Sequence, residues 1–465
     1  MAVNSKHPDY ADRVGEWAIM RHCARGLKAV AAEGEAYLPM PSGFRAQEDA
    51  GVAAYSAYSM RAQFPEIVTP SISGMVGIIH RSEAQIKMPE AMQGLWERAT
   101  KDGLPLEAMH RRVTSELLLM GRYCLLVDAA STGSDMPWLA GYSAEALINW
   151  SPDRDLFVLD ETGHVRNEFE WTEQQAYRVL RLVNATYSVE TYKGLERQME
   201  GAEPRARANK PIKEIPFVVI GSRDLSVAVD EPPLIGVARA ALALYRLDAD
   251  YRHQLYSTGQ ETCVVINGEA PTAVGSGVVV TINGEPGRQP DMKYVGPTGK
   301  GIEAHRTAIQ DERDNAASAG ARLFDSEKKS AESGDALRIR YAAQTATLTS
   351  IAMASAAGLE KALRYVAMMI GASPDEVVVT PNLSFMDTPM AAAEAKALME
   401  VWKGGGISYQ TYYENLQRGQ IASVERDHEE EQVLVAADQE GLEPEEEEVD
   451  PAADPLDQQQ PPVAA

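Results

Sequence analysis

One glycine-rich segment of the sequence could in principle bind phosphate: Gly-Pro-Thr-Gly-Lys-Gly at residues 296–301. In the phosphate-binding loop of nucleotide hydrolases, backbone N–H groups cradle the phosphates, and a Ser or Thr after the lysine holds magnesium. Here Tyr294 stands where the first glycine is needed, and Gly301 follows Lys300. Because both positions fail, we interpret the segment as a loop that joins a β module to a helix.

No other catalytic pattern is present in the sequence. It contains no GxSxG, HExxH or nucleotide-binding GxGxxG segment. The histidines lack metal-ligand spacing, and each is interpreted as a single surface or core residue: His7, His22, His80, His110, His164, His253, His305 and His428. We therefore predict no catalytic residue, no cofactor and no metal, and a protein that is not an enzyme.

Two groups of basic residues could touch a polyanion. Lys328 and Lys329 lie in DSEKKSAES (325–333), a break between two long predicted helices. Such a loop is usually solvated, but functional contacts concentrate on loops, so a mobile basic finger is the alternative. The second group lies off the apolar stripe of a predicted helix, where charged faces are usually just solvated: Arg239, Arg246 and Arg252.

Composition excludes several classes of protein. The 465 residues suit about three domains, and 45% hydrophobic residues can form a sizeable core. The net charge of -24 argues against a tight nucleic-acid binder, which needs a basic surface. Fourteen of these negative charges come from residues 425–465, which are also rich in Pro and Gln and are predicted to be disordered.

Compartment and membrane signals are sparse. The odd number of cysteines, Cys23, Cys124 and Cys263, suits buried thiols in a reducing compartment rather than a disulfide framework. The N-terminus lacks the apolar core of a signal peptide, and no run of 18 apolar residues occurs. A protein without a membrane association is therefore expected.

Apolar periodicity predicts the order of elements. Residues 8–120 follow the helical spacing, with Leu106, Met109, Val113 and Leu117 as one stripe. Residues 121–229 favour a sheet. The predicted strands are Tyr123–Asp128, Trp138–Tyr142, Leu156–Leu159, Arg178–Val183, Tyr187–Tyr192 and Phe217–Ile220.

Two predicted helices, 230–258 and 301–324, flank a β module at 259–300. The first opens with acids and prolines, which favour helix starts, while the second is charged and Ala-rich. A helix that is polar nearly all round bridges solvent or packs among copies of itself. In the module, Thr262–Ile266 and Gly277–Ile282 are predicted strands, and Asn-Gly pairs at 267 and 283 predict tight turns.

The last part of the pattern is again mainly helical. A helix of about 36 residues is predicted from Asp335 to Ile370, with a possible kink at Gly358. A strand at Glu376–Thr380 and helices from Pro389 and Ser408 follow. The fold class predicted from these patterns is α+β.

The sequence resembles the portal proteins of tailed bacteriophages, in particular a portal-like family described mainly by a domain of unknown function. The resemblance covers about residues 8–422. The segments that carry it are YADRVGEWAIMRHCARGLKAVAAEGEAYLPMPSG, GRYCLLVD, ALINW, PPLIGVARAALALYRLDADYRHQL and AESGDALRIR.

The resemblance implies a ring, usually of twelve copies, and a fold for each region. In chain order these are a wing (1–229), a first stem helix (230–258), a clip (259–300), a second stem helix (301–324), a tunnel loop (325–334), a long kinked helix into the wing (335–371), a wing and short crown (372–422), and a disordered acidic tail (423–465).

It also implies site residues and partners. The tunnel loop would face DNA through Ser326, Glu327, Lys328, Lys329 and Ser330, and stem residues of the channel would be Arg239, Arg246, Arg306 and Arg313. Clip residues that dock partners would be Asn267, Glu269, Asn283, Glu285 and Arg288. The implied partners are other copies of the chain, the major capsid protein, scaffolding protein, the terminase large subunit, the head–tail adaptor and double-stranded DNA, bound weakly and without sequence specificity.

The implied location is the portal vertex of the virion, reached from the host cytoplasm. An acidic conduit fits this role, because a channel that repels phosphates lets DNA slide. Two alternatives stay open: another minor capsid or head–tail connector protein without a channel, and a nucleic-acid enzyme of the packaging line. The missing phosphate loop disfavours the enzyme, and the long helices around a β module disfavour the other connector.

Overall fold

The structure is a computed structural model. It describes residues 2–128, 136–259, 262–273, 281–284, 286–296, 300–320, 334–383, 385, 392–419, 421–423 and 426–440. The chain divides into two compact units, residues 1–385 and 386–465. Helices and strands both contribute, so the predicted α+β class is confirmed.

Unit 1 begins with helices, as the periodicity predicts. They are α1 (Pro8–Arg25), α2 (Leu27–Ala32), α3 (Ser42–Arg45), α4 (Glu48–Arg61), α5 (Val68–Ile79) and α6 (Leu106–Met120), with the short strand β1 (Gln85–Lys87) before α6. The predicted stripe of α6 is wholly buried. Trp17 of α1 is also fully buried, and its indole N–H donates to the Met120 carbonyl at 3.0 Å.

Gly121 ends α6 and turns the chain into the sheet region. Its φ of 72° lies in the left-handed region, which glycine adopts without steric cost. A Cβ here would also lie 3.0 Å from the Glu231 carbonyl oxygen. The glycine thus allows both the turn and the close approach of the segment before the next long helix.

The sheet region contains all six predicted strands. Its strands are β2 (Arg122–Asp128), β3 (Trp138–Ser143), β4 (Leu147–Trp150), β5 (Leu156–Asp160), β6 (Gly163–Asn167), β7 (Glu170–Gln174), β8 (Ala176–Val183), β9 (Thr186–Lys193), β10 (Glu196–Ala202), β11 (Arg205–Ala206), β12 (Lys210–Pro211) and β13 (Phe217–Gly221). The antiparallel sheets have the orders β10-β9-β8-β5-β4 and β13-β2-β3, while β6–β7 and β11–β12 pair separately. Periodicity missed the six strands that are short or polar: β4, β6, β7, β10, β11 and β12.

Three long helices and a pair of strands come next in unit 1. They are α7 (Ile235–Thr258), β14 (Thr262–Ile266), β15 (Asp291–Val295), α8 (Lys300–Gly320) and α9 (Gly334–Ile370). The predicted start of α7 at 230 is wrong. A residue before a proline avoids the helical conformation, so the Pro232–Pro233 pair delays the helix to Ile235.

The β module pairs differently from the prediction. Thr262–Ile266 is a strand as expected, but its antiparallel partner is β15, which the pattern did not indicate. Residues 277–280 of the other predicted strand lie outside the described residues, and Thr281 and Ile282 are not in a strand. The two Asn-Gly pairs instead face each other through an isolated bridge between Gly268 and Gly284.

Helix α9 is the central support of unit 1. It is one uninterrupted helix of 37 residues and packs on α6, β2 and β13. Gly358 does not interrupt it; a Cβ at this position would lie 2.4 Å from Cδ1 of Ile220. Gly358 therefore serves the close packing of α9 on the sheet. After α9, β16 (Val378–Thr380) pairs antiparallel with β1.

Unit 2 contains α10 (Ala392–Lys403), α11 (Tyr409–Arg418) and α12 (His428–Glu440). The rings of Trp402 and Tyr412 stack at 4.8 Å and join α10 to α11. The prediction of disorder from residue 423 is wrong for α12. Asp427 accepts the N–H groups of Glu429 and Glu430 at 2.9 and 2.8 Å, and such capping starts a helix in an acidic segment. Residues 441–465 lie outside the described part.

Candidate functional site

The most distinctive feature of unit 1 is an antiparallel helix pair that ends in a β-hairpin; we call α7, β14, β15 and α8 the two-helix arm. The first half of α7 is buried against α1 and α4. Its second half is half-buried or exposed apart from Ala249, and Tyr256 near its end is 65% exposed. The arm is thus anchored at one end and solvated at the other.

Helix α8 has almost no core of its own. Of its side chains at residues 301–316, Ala316 alone is buried. The exposed side carries Glu303, Arg306, Asp311 and Arg313. A helix this polar gains little from packing on α7 alone, and long helices in water depend on tertiary packing. The arm therefore favours additional packing partners along its length.

The tip of the arm holds most of the predicted clip residues. The Glu269 N–H donates to the Asn283 carbonyl at 3.3 Å, which brings the two predicted turns together. Asn267 has a positive φ of 55°, and its amide donates to the Gln289 carbonyl at 3.4 Å. Asn267, Glu269, Asn283 and Arg288 are all exposed. Glu285 lies outside the described residues.

The predicted channel arginines occupy two different settings. Arg239 pairs with Glu16 of α1 at 2.9 Å, and Arg246 donates to the Tyr37 carbonyl at 2.8 Å. These contacts tie the anchored half of α7 to the N-terminal helices of the same chain. Arg306 and Arg313 instead lie on the exposed side of α8, where Arg306 and Glu303 approach to 3.6 Å.

The predicted tunnel-loop residues lie outside the described residues: Ser326, Glu327, Lys328, Lys329 and Ser330. The structure describes the helices on either side, since α8 is described to Gly320 and α9 from Gly334. The structure therefore establishes only that this segment lies between the arm and α9 in the order of the chain.

A buried polar cluster joins α9 to α5 and α6. His80 Nε2 hydrogen-bonds with Thr114 Oγ1 at 2.9 Å, and His110 Nε2 with Ser355 Oγ at 3.2 Å. The two imidazole rings meet edge to face, with centroids 4.8 Å apart. The two histidines are core residues, as one of the two predicted settings has it, but they contact each other and are not single. They form one cluster because their helices pack around Ser355.

The cluster keeps both histidines neutral. Burial lowers the pKa of His80 to about 4, and the charge of Arg111 adds to this effect. Burial also lowers the pKa of His110 to about 3, and a positive charge on His80 would lower it further. Since His is normally half-protonated near pH 6.5, both imidazoles resist protonation over the whole physiological range.

Arg21 forms a second cluster that sequence reasoning missed. Its guanidinium donates to Glu116 on α6 at 3.0 and 3.1 Å, and to Glu145 before β4 at 3.0 Å. Burial acts to lower its pKa, but the two carboxylates outweigh burial and raise it. Arg21 therefore stays charged and joins α1, α6 and the sheet region. The partners are 95 and 124 residues away, so no local pattern could have indicated them.

Within the described ranges, no group of three or more His, Cys, Asp or Glu side chains could hold a metal ion. Of the helices that the structure describes, none is long and apolar enough to cross a membrane. Burial raises the pKa of the Cys23 and Cys124 thiols to about 12 and 11, so both are unreactive.

Comparison with known proteins adds a family match over the arm. Residues 233–370 match the family described as a domain of unknown function, DUF4055. The match begins just before α7 and ends at the last residue of α9. A search of curated proteins gives no match to this chain.

Among solved structures, the chain is similar to chains of gene transfer agent particles. One belongs to the virion of a native gene transfer agent particle, with 13% identity, a TM-score of 0.39, and coverage of 75% of this chain and 88% of that chain. Another belongs to the neck of an empty gene transfer agent particle, with 13% identity, a TM-score of 0.36, and coverage of 78% and 90%.

Proposed function

We propose that the chain is a portal subunit, which forms a ring with a central DNA channel at one vertex of a tailed-phage capsid. The observation that carries this proposal is the two-helix arm. Its outer half is long, polar and almost without a core. Packing between equivalent arms around a closed ring would supply the missing neighbours, and oligomers of one chain usually close with rotational symmetry.

The family match supports treating the arm and α9 as one functional module. It spans the arm and the central helix as one stretch, residues 233–370. In the proposal, α7 and α8 are the stem, β14 and β15 belong to the clip, and α9 runs behind the tunnel loop into the wing. The exposed turns of the clip would dock the terminase during packaging and the head–tail adaptor afterwards.

Charge supports weak contact with the cargo. The chain carries 68 acidic and 44 basic residues, so a channel built from it would repel phosphates on average. Arg306 and Arg313 on the exposed side of α8 are the described candidates for the few salt-sensitive contacts with DNA. Arg239 and Arg246 now have another role in the proposal, because they anchor α7 to its own chain.

Particle images of the purified full-length chain test the proposal. We expect rings with a central hole, and a mass near twelve copies by mass photometry. A chain that stays monomeric at all concentrations contradicts the proposal. A compact oligomer without a hole would favour the alternative of a connector protein that forms no channel.

Deletion of residues 325–333 tests the tunnel loop separately. We expect the deleted chain to form normal rings, because the helices α8 and α9 remain. Particles assembled with it should package or retain less DNA than particles with a Gly/Ser segment of equal length. If the deletion prevents ring assembly, the segment is a structural element and not a tunnel loop.

A further inference from the structure

The hairpin β6–β7 is exposed on almost its whole surface. It forms a sheet of its own, and eight of its ten strand residues are exposed. Its turn carries Phe169, which is 89% exposed, and Trp171 beside the turn is 63% exposed. An isolated two-stranded hairpin is marginal in water, and large exposed aromatic side chains are typical of interface anchors. These features indicate a docking element.

Helix α4 has an unusual apolar outer face. Residues 50–60 contain no charged side chain. The inner face packs with buried Tyr58, while Val52 and Met60 on the outer face are 61% and 80% exposed. Exposed large apolar side chains on an uncharged helix face are typical of a contact surface. Among the described residues of the single chain, no element covers the outer face of α4.

The exposed face continues from α4 onto the arm. Arg61 follows Met60, and its guanidinium lies over the ring of Tyr256 at 3.8 Å from the centroid. Tyr256 lies near the exposed end of α7. We call Val52, Met60, Arg61 and Tyr256 the α4–α7 surface. It combines apolar side chains with one cation and adjoins the arm that the proposed ring packs between subunits.

We propose that the tip of the β6–β7 hairpin docks on the α4–α7 surface of a second copy of this chain. The inference rests on the proposed ring. A ring of more than two subunits needs two different, complementary surfaces on every subunit. The hairpin supplies a projecting aromatic knob, and the α4–α7 surface supplies an apolar face that no described element covers.

Charge supports this choice of partner. Glu168 and Glu170 flank Phe169 in the sequence, and Arg166 donates to the Glu168 carbonyl, so the border of the knob carries two carboxylates and one cation and is acidic on balance. Arg61 gives the α4–α7 surface a positive charge beside its apolar residues. Opposite charges at the border of an apolar contact steer the partners and fix their register. Two aromatic side chains bury on the order of 300 Å², below the roughly 1,000 Å² of a stable interface, so the stems must add the rest.

Disulfide trapping in the full-length chain tests the contact. Cys263 is half-exposed and is replaced by Ser, whereas Cys23 and Cys124 are buried and stay. Phe169→Cys is combined with Met60→Cys, and mild oxidation should give a ladder of linked chains on a non-reducing gel. Leu195→Cys with Met60→Cys is the matched control, since Leu195 is 61% exposed and lies outside the hairpin. Equal ladders in both pairs, or no ladder in the first, overturn the inference.

A second variant separates this inference from the ring itself. Phe169→Asp with Trp171→Asp should raise the dissociation constant of the assembly at least tenfold in mass photometry, with an unchanged circular dichroism spectrum. If this variant assembles like the native chain, the inference fails while the ring stands. If the native chain itself never assembles, the proposed function fails, and the missing ladder is then its consequence.

Discussion

The buried cluster of His80 and His110 predicts that acid weakens unit 1 well above the pH at which carboxylates titrate. In the folded chain, their pKa values are about 4 and about 3. In the unfolded chain, both return to about 6.5. The unfolded state therefore binds more protons than the folded state below pH 6.5, and stability falls as the pH falls towards 4 and then 3.

The magnitude at pH 5 follows from proton linkage. An unfolded His with a pKa of about 6.5 gains about 2 kcal/mol from protonation at pH 5, while the folded His gains almost nothing. Together, the two residues should lower the free energy of unfolding by about 4 kcal/mol when the pH falls from 7.5 to 5.0. This result depends only on folded pKa values at or below about 4.

Urea denaturation of the full-length chain at pH 7.5 and pH 5.0 measures this loss of unfolding free energy. The protein concentration is kept the same at both pH values, because assembly also stabilises the folded state. The His80→Gln, His110→Gln double variant should lose about 4 kcal/mol less than the native chain over this interval. His428→Gln in unit 2 is the control and should behave like the native chain. The reasoning is refuted if the double variant retains the native pH dependence.

Three further predictions concern stability and the C-terminal unit. Arg21→Ala leaves two partly buried carboxylates without their cation and should lower the free energy of unfolding in urea by about 2–4 kcal/mol. The control Arg45→Ala removes an exposed pair with Glu35 and should lower it by less than about 1 kcal/mol. Equal losses in the two variants would contradict the role of the Arg21 cluster. Gly358→Ala places a Cβ 2.4 Å from Ile220 and should lower the stability of unit 1 by about 1–3 kcal/mol. Its control is Gly77→Ala in α5, where the added Cβ meets open space. This control should be neutral or should stabilise the chain by up to about 1 kcal/mol. Truncation after Ser423 removes α12 and also the Arg426 carbonyl, which accepts hydrogen bonds from Tyr413 and Gln417. We therefore expect faster proteolysis of unit 2, with the proteolysis of unit 1 unchanged. A protease pattern identical to that of the native chain would show that α12 is dispensable.

The candidate interface was outside the reach of sequence reasoning for a specific reason. Phe169 and Trp171 look like ordinary strand residues in the sequence, and the apolar run of α4 looks like a core helix. Exposure decides their meaning, and exposure depends on which neighbours the fold supplies. That no described element covers the hairpin follows only from the positions of the other described elements.

The sequence by itself determined the local elements of this protein. Apolar spacing determined α6 and α9, short continuous apolar runs determined β2 and β13, and the Asn-Gly pair at 267 determined a turn with positive φ. Each of these depends on neighbours within a few residues. Tertiary structure alone decided which distant residues meet. His80 joins His110, Arg21 joins Glu145, and β1 pairs with β16 from almost 300 residues away. Such pairs leave no periodic trace in the chain, since their partners are set by the packing of whole helices and sheets.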